Sequence, residues 1–143
     1  MSIDAQSDQT RDAIALVREY FQSVGPTADQ FWRSFDTYFD ENTVWENVGV
    51  SRTVGKEQAI AFAKAFPVKF DHMQIEDISL AAVDNRVYVE RMDHFCKADG
   101  TIVASIRALG VFEINGKKIA NWRDYFDTAG FARSRPTGLY TEA

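Results

Sequence analysis

The sequence predicts one α+β domain in which N-terminal helices pack on one face of a curved sheet. Apolar residues recur at helical spacing in the first half of the chain, whereas apolar and polar residues alternate with a period of two in the second half. Helices followed by a run of strands favour this fold class. A chain of 143 residues is large enough for one core. We therefore treat 1–143 as one domain, with a flexible N-terminus over 1–9 and a C-terminal tail over 132–143.

Three amphipathic helices are predicted, and the third is expected to reach Phe70 beyond a break near Pro67. Small polar residues favour helix starts, and glycine and proline favour helix ends. The boundary signals, in chain order, are a cap at Thr10 or Asp12, a stop at Gly25-Pro26, a cap at Thr27 and an opening at Gly55-Lys56-Glu57.

Five strands are predicted, the first a short one over 43–48. Four longer strands cover 73–83, 86–98, 101–115 and 118–127. The turns between them are Asp84-Asn85, Asp99-Gly100 and Asn115-Gly116. Because Asp-Gly and Asn-Gly are strong hairpin signals, the four longer strands should form an antiparallel meander.

The alternation along the strands places several polar residues on apolar faces. Arg91 and Asp93 point the same way, Asp124 shares a face with aromatic rings, and Trp45 shares a face with Asn47. The strand over 101–115 carries an unbroken apolar face that should lie inside, made of Ile102, Ala104, Ile106, Ala108, Gly110 and Phe112. If the sheet curls around that face, the polar residues converge at one end of an apolar pocket.

Each of these residues also has a purely structural interpretation. Arg91 and Asp93 are compatible with a surface ion pair, which contributes little stability. Asp124, which lies beside Arg123, is compatible with a charge at the rim of the sheet. Trp45 is compatible with core packing, and Asn47 with a buried amide bonded to the backbone. Gly110 is compatible with a simple bend in its strand.

Several classes of protein are disfavoured by composition. The net charge of −5 without a basic run argues against nucleic-acid binding. Cys96 is the only cysteine, and His72 and His94 lie in no metal-ligand spacing, so we expect no metal site and only solvated or structural histidines. No segment has the pattern of a signal peptide or of a membrane span, which makes a cytoplasmic protein the expectation.

Three stretches carry a resemblance to a known family. They are Tyr88-Val89-Glu90-Arg91-Met92-Asp93, Leu109-Gly110-Val111-Phe112 and Trp122-Arg123-Asp124-Tyr125-Phe126-Asp127. With them, the chain resembles the limonene-1,2-epoxide hydrolase family over nearly its whole length. The resemblance implies the cone-shaped α+β fold of the nuclear transport factor 2-like superfamily, with a mixed sheet that encloses an apolar pocket. It also implies a homodimer, no cofactor and a hydrophobic small-molecule substrate.

The resemblance also implies roles for individual residues. Asp93 would be the acid, Asp124 the base that activates water, Arg91 the bridge between them and Asn47 the amide that helps to hold the water. Where the family has a second water-holding group, a tyrosine, this chain has Trp45, whose indole can only donate a hydrogen bond. The implied substrate-lining residues are Phe66, Phe70, Phe95, Ile106, Ala108, Phe126 and Phe131, with Trp45 beside them.

Three functions follow as hypotheses from different classes. The first is hydrolysis of an epoxide by one-step acid–base addition of water. The second is a cofactor-free isomerase or lyase in which Asp124 abstracts a proton from an apolar or aromatic substrate, and Trp45 in place of tyrosine favours it. The third is a binding protein for a small apolar ligand, in which the charged residues form a structural network.

Overall fold

The fold is described by a computed structural model that covers residues 7–25, 27–65 and 69–128, without the side chains of residues 77 and 78. It contains helices packed on one face of a curved, unclosed mixed sheet, which confirms the predicted α+β class. The elements in chain order are α1 (Asp8–Ser23), α2 (Ala28–Tyr38), β1 (Val44–Asn47), β2 (Ser51–Val54), α3 (Lys56–Lys64), β3 (His72–Val83), β4 (Arg86–Cys96), β5 (Ile102–Asn115) and β6 (Lys118–Phe126).

The start of α1 lies earlier than predicted. Ser7 is the N-cap, and its hydroxyl oxygen accepts a hydrogen bond from the Thr10 backbone N–H at 3.1 Å. This bond satisfies a donor that the first helical turn leaves free. A cap at Thr10 or Asp12 was therefore wrong, and residues 8 and 9 belong to the helix. The predicted cap of α2 is confirmed, because the Thr27 hydroxyl accepts from the Gln30 N–H at 3.2 Å.

The end of α3 also differs from the prediction. The helix ends at Lys64, and the N–H of its C-cap, Ala65, bonds back to carbonyl oxygens of the last turn. Phe70 therefore does not belong to the helix but lies directly before β3, where it is buried. Phe66, Phe131 and the predicted tail over 132–143 lie outside the described residues.

The sheet has six strands in the order β2-β1-β6-β5-β4-β3. All neighbours are antiparallel except β1 and β6, which run parallel. The four longer strands form the predicted meander, with their ends within two residues of the prediction. The strand β2 was not predicted, since it is only four residues long and follows the turn at Gly49 (φ 85°).

The core lies between the helices and the inner face of the sheet and is rich in aromatic rings. Trp122 stacks on Phe112 with ring centroids 4.8 Å apart, and Phe35 stacks on Phe39 at 4.4 Å. One prediction for this face was wrong: Ile102, at the start of β5, is 51% exposed. No helix in the described part of the chain is long and apolar enough to cross a membrane.

Candidate active site

The three charged residues singled out in the sequence meet on the inner face of the sheet. Arg91 and Asp93 lie two residues apart on β4, so the pleat points both side chains the same way. Asp124 reaches them from β6 across the intervening strand β5, where Gly110 lies opposite both Val89 and Asp124. We call Arg91, Asp93 and Asp124 the charged cluster.

The guanidinium of Arg91 holds both carboxyl groups in paired hydrogen bonds. Its Nε donates to Asp93 Oδ1 at 3.0 Å and its Nη2 to Asp93 Oδ2 at 3.1 Å. On the other side, Nη1 donates to Asp124 Oδ1 at 3.1 Å and Nη2 to Asp124 Oδ2 at 2.7 Å. Paired bonds of this kind fix the orientation of each carboxyl group as well as its distance.

The two oxygens of Asp124 differ in how many donors they face. Oδ1 accepts from Arg91 Nη1 and also from the indole N–H of Trp122 at 2.8 Å. Oδ2 accepts only from Arg91 Nη2 among the described residues. Because a carboxylate oxygen has two lone pairs, Oδ2 keeps one for a further donor. Oδ2 is therefore the atom of Asp124 best placed to take a proton.

Burial sets the electrostatics of the charged cluster. Arg91 is 2% exposed, Asp93 7% and Asp124 6%. The guanidinium also lies over two rings, 5.2 Å from the centroid of Phe21 and 5.7 Å from that of Trp122. Cation–π contacts of this kind are stronger when the cation is shielded from water. A surface ion pair, the structural alternative for Arg91 and Asp93, does not describe this geometry.

The pKa shifts in the charged cluster separate the roles of its members. Burial raises the pKa of Asp93, and the charge on Asp124 adds to that effect, while Arg91 opposes it. For Arg91, burial lowers the pKa, but the two carboxylates outweigh burial and raise the pKa above its ordinary value. Arg91 thus stays charged, and burial favours the protonated form of Asp93.

Gly110 makes room for the charged cluster. A Cβ at this position would lie 2.8 Å from Asp124 Oδ1 and 2.9 Å from Arg91 Nη1. Both separations are shorter than real Cβ contacts, so any larger residue displaces the carboxylate or the guanidinium. The role of Gly110 is this close approach, which explains its place in β5 better than a simple bend does.

Asn47 and Trp45 lie beside Asp124 on the parallel strand β1. Asn47 is in register with Asp124, but its Nδ2 donates to Ser51 Oγ at 3.1 Å. Trp45 is 6% exposed and stacks on Trp122 at 5.6 Å. Its indole N–H is enclosed and has no hydrogen-bond partner among the described residues. In this geometry, Trp45 packs as a core residue.

Apolar side chains lie next to the charged cluster. They are the predicted substrate-lining residues that fall within the described ranges. Ala108 is buried between Arg91 and Phe126 in the register of β4, β5 and β6. Phe70 and Phe95 meet edge to face at 5.1 Å and anchor a second apolar cluster. Ile106 and Phe126 pack against that cluster, together with Trp32 from α2. Phe66 and Phe131 are not described.

Three further residues of the site were not given roles from the sequence. Trp122 donates to Asp124, Phe21 covers the guanidinium, and Gly110 provides space. A glycine inside an apolar strand is a recognised sign of close approach, so Gly110 could have been found in the sequence. Phe21 could not, because its contact depends on how α1 packs on the sheet.

The α+β fold of this chain is the fold of the nuclear transport factor 2-like superfamily. Residues 12–135 match the model of the limonene-1,2-epoxide hydrolase catalytic domain. The chain therefore belongs to the limonene-1,2-epoxide hydrolase family.

Solved structures of this superfamily share the fold at low sequence identity. A limonene-epoxide-hydrolase-like epoxide hydrolase of M. tuberculosis is 24% identical, with a TM-score of 0.70, over 94% of this chain and 89% of that one. A candidate SnoaL-like polyketide cyclase of Jannaschia sp. is 14% identical, with a TM-score of 0.74, over 98% and 99%. A candidate ketosteroid isomerase of Kribbella flavida is 17% identical, with a TM-score of 0.65, over 94% and 98%. At these identities the structures show the shared fold alone.

Proposed function

We propose that the protein is a cofactor-independent hydrolase that opens an epoxide on a hydrophobic small molecule by one-step addition of water. One observation carries the proposal: a single buried guanidinium holds two carboxyl groups at 2.7–3.1 Å, and burial raises the pKa of one of them. Family membership points to the same chemistry.

The proposed step uses the two carboxyl groups in opposite protonation states. Asp124 Oδ2 takes a proton from water as the water oxygen attacks an epoxide carbon. The C–O bond of the ring breaks, and Asp93 gives its proton to the departing oxygen. Each proton transfer of this kind typically accelerates a reaction ~10²–10⁴-fold. The product is a diol, and a proton must then pass from Asp124 back to Asp93, through solvent, before the next turnover.

Arg91 serves this step as a positioning residue with a fixed charge. Its bonds to Asp93 and Asp124 hold the two carboxyl groups at two adjacent edges of the planar guanidinium. Its positive charge favours an ionised Asp124, while the apolar surround favours a protonated Asp93. The apolar residues Phe95 and Phe126, each two positions along the strand from a carboxyl group, are suited to the hydrocarbon part of the substrate.

The proposal is tested with a panel of cyclic and aryl epoxides in ¹⁸O-labelled water. The expected product is a diol with one labelled oxygen, formed faster than in buffer. Asp124→Asn and Asp93→Asn should each lower the rate by ~10²–10⁴-fold, because each removes one proton transfer. Asp99→Asn changes an exposed carboxylate in a turn and is the matched control. Absence of a diol above the buffer rate over the whole panel would contradict the proposal.

A second candidate is a cofactor-free isomerase or lyase with Asp124 as the base. The surroundings of Asp124 favour it, because the Asn47 amide is bonded to Ser51 and the Trp45 indole can only donate. A water molecule therefore has few hydrogen-bond partners beside Asp124. Abstraction of a proton from a C–H group does not need a bound water molecule. The test is deuterium exchange at the acidic C–H groups of 2-indanone in D₂O. This activity should disappear in Asp124→Asn and persist in Asp99→Asn, whereas exchange at the buffer rate excludes the candidate.

A further inference from the structure

A second group of chemically reactive side chains lies on the outer face of the sheet, away from the charged cluster. His94 follows Asp93 on β4 and therefore points to the opposite face. It is in register with Ser105 on β5, and Glu76 reaches it from β3. Three neighbouring strands thus bring a hydroxyl, an imidazole and a carboxylate together.

The distances within this group are those of a nucleophile with its base. His94 Nδ1 lies 2.6 Å from Ser105 Oγ, and His94 Nε2 lies 2.6 Å from Glu76 Oε1. A carboxylate can only accept, so in the neutral imidazole the N–H is at Nε2 and is donated to Glu76. Nδ1 then has its lone pair free and accepts from the hydroxyl of Ser105. An activated serine needs a base within hydrogen-bond distance of its hydroxyl and a third group that orients the base.

A cation lies on the same face, two residues along β5 from Ser105. Arg107 is two residues from Ser105 on β5, so both side chains point outward. The Arg107 side chain is 58% exposed, and its Nη1 lies 4.0 Å from Glu90 Oε2, beyond hydrogen-bond distance. Its guanidinium adds positive charge to the face that carries Ser105.

The outer face also indicates which reagents this serine can use. Ser105 is exposed, and the His94 side chain is 12% and the Glu76 side chain 48% exposed. Within the described ranges no helix packs on this face, so little binding energy comes from enclosing a substrate. Reactivity must then come from the substrate itself, which favours small acyl or phosphonyl compounds with a good leaving group.

We propose that Ser105 is a nucleophile, activated by His94 and Glu76, that accepts acyl or phosphonyl groups from activated esters and phosphonofluoridates. The Oγ–carbon bond forms as the bond to the leaving alkoxide or phenoxide breaks. The hydroxyl proton passes to His94 Nδ1 and then to the leaving group. Water next attacks the acyl carbon and gives a proton to Nδ1. The bond between that carbon and Oγ breaks, the acid leaves, and Nδ1 passes the proton to Oγ, which regenerates the Ser105 hydroxyl. This activity is independent of the epoxide chemistry proposed for the charged cluster.

The experiment is to label the full chain with an alkyl fluorophosphonate and to follow the adduct by intact mass and peptide mapping. Reaction at Ser105 forms the Oγ–P bond and releases fluoride, and one adduct per chain is expected. Ser105→Ala should abolish the adduct, and His94→Gln should slow its formation ~10²-fold or more, the usual contribution of a base. Glu76→Gln should slow it less, because the imidazole remains but loses its orienting partner.

Ser79→Ala is the matched control, since Ser79 is an exposed serine on the same face, opposite Glu90 and without a histidine partner in register. Labelling in this variant should equal that of the parent. The hydrolysis of 4-nitrophenyl acetate should follow the same order of variants. If the fluorophosphonate reacts no faster with the parent than with Ser105→Ala, or if Glu76→Gln and His94→Gln are labelled at the parent rate, the group is a structural hydrogen-bond network and the proposal is wrong. Glu76→Gln changes a half-exposed side chain and keeps the test valid if His94→Gln does not fold.

Discussion

Adding one methyl group at Gly110 should disable the charged cluster while leaving the fold intact. In Gly110→Ala, the new Cβ would lie 2.8 Å from Asp124 Oδ1 and 2.9 Å from Arg91 Nη1, whereas ordinary contacts begin at 3.4 Å. The carboxylate must therefore shift by roughly 0.6 Å, which lengthens its bonds to Arg91 and Trp122. Displacements approaching ~1 Å at a reacting group can cost about 10²-fold in rate. We expect a fall of about 10- to 100-fold in kcat/KM for the best epoxide in the panel.

The effect on stability should be modest. Overpacking a core typically costs ~1–3 kcal/mol, while replacing glycine by alanine within a strand returns about 0.5–1 kcal/mol of chain entropy. The free energy of unfolding should thus fall by about 2.5 kcal/mol at most, measured by urea denaturation. The matched control is Gly116→Ala, where φ is 61° and no atom lies within 4 Å of the added Cβ. The left-handed backbone costs that variant about 1–2 kcal/mol, with no effect on the site.

A direct readout of the displaced carboxylate is the indole N–H of Trp122. This group donates to Asp124 Oδ1 at 2.8 Å, so its resonance in a ¹⁵N-tryptophan spectrum reports on the position of the carboxylate. The resonance should move in Gly110→Ala and stay in place in Gly116→Ala. If Gly110→Ala keeps the parent activity and the parent Trp122 resonance, the cluster tolerates the methyl group and the reasoning from close approach is refuted.

Three other substitutions probe the same cluster. Burial raises the pKa of Asp93 above its unfolded value of ~3.9, so this group stabilises the fold at acid pH, and the contribution is lost as the pH rises through the folded pKa. The free energies of unfolding of the parent and of Asp93→Asn are compared by denaturation at several pH values. The stability of the parent relative to the variant should fall as the pH rises from ~4. A rise would contradict the raised pKa of Asp93. Trp122→Phe removes the 2.8 Å bond to Asp124 and should cost about 1.5–3 kcal/mol in urea denaturation, whereas Trp32→Phe, in the neighbouring apolar cluster, should cost less. Arg91→Met leaves buried carboxyl groups without their cation and should cost ~3–5 kcal/mol at neutral pH, and less at pH 4, where protonation reduces the buried negative charge. Equal losses at the two pH values would show that the ion pairs do not govern stability.

The alternation of residues along the strands was enough to predict much of the fold and part of the site. It placed Arg91 and Asp93 on one inward face of β4 and Asp124 on the inward face of β6, because the side-chain period of a strand is fixed at two. The turn sequences also fixed the hairpins, including the turn at Asp84, where φ is 54°. Local rules of this kind do not depend on how distant segments meet.

What the sequence did not predict depends on register and on the packing of distant segments. The parallel pairing of β1 with β6 places Asn47 beside Asp124, and no local signal specifies that pairing. Ile102 is exposed because the register shifts between Phe95 and Cys96, next to the end of the strand. The contact of His94 with Ser105 depends on the same hairpin register.

The charge balance of the cluster connects its stability with its proposed chemistry. A buried guanidinium with two ionised carboxylates carries a net charge of −1, which an apolar interior strongly disfavours. The raised pKa of Asp93 favours a proton on that group, which together with a charged Arg91 makes a neutral cluster, and Oδ2 of Asp124 has a free lone pair. One charged base beside one protonated acid is also the state that ring opening requires. Burial that would otherwise only cost stability thus favours the protonation state that the proposed reaction needs at its start.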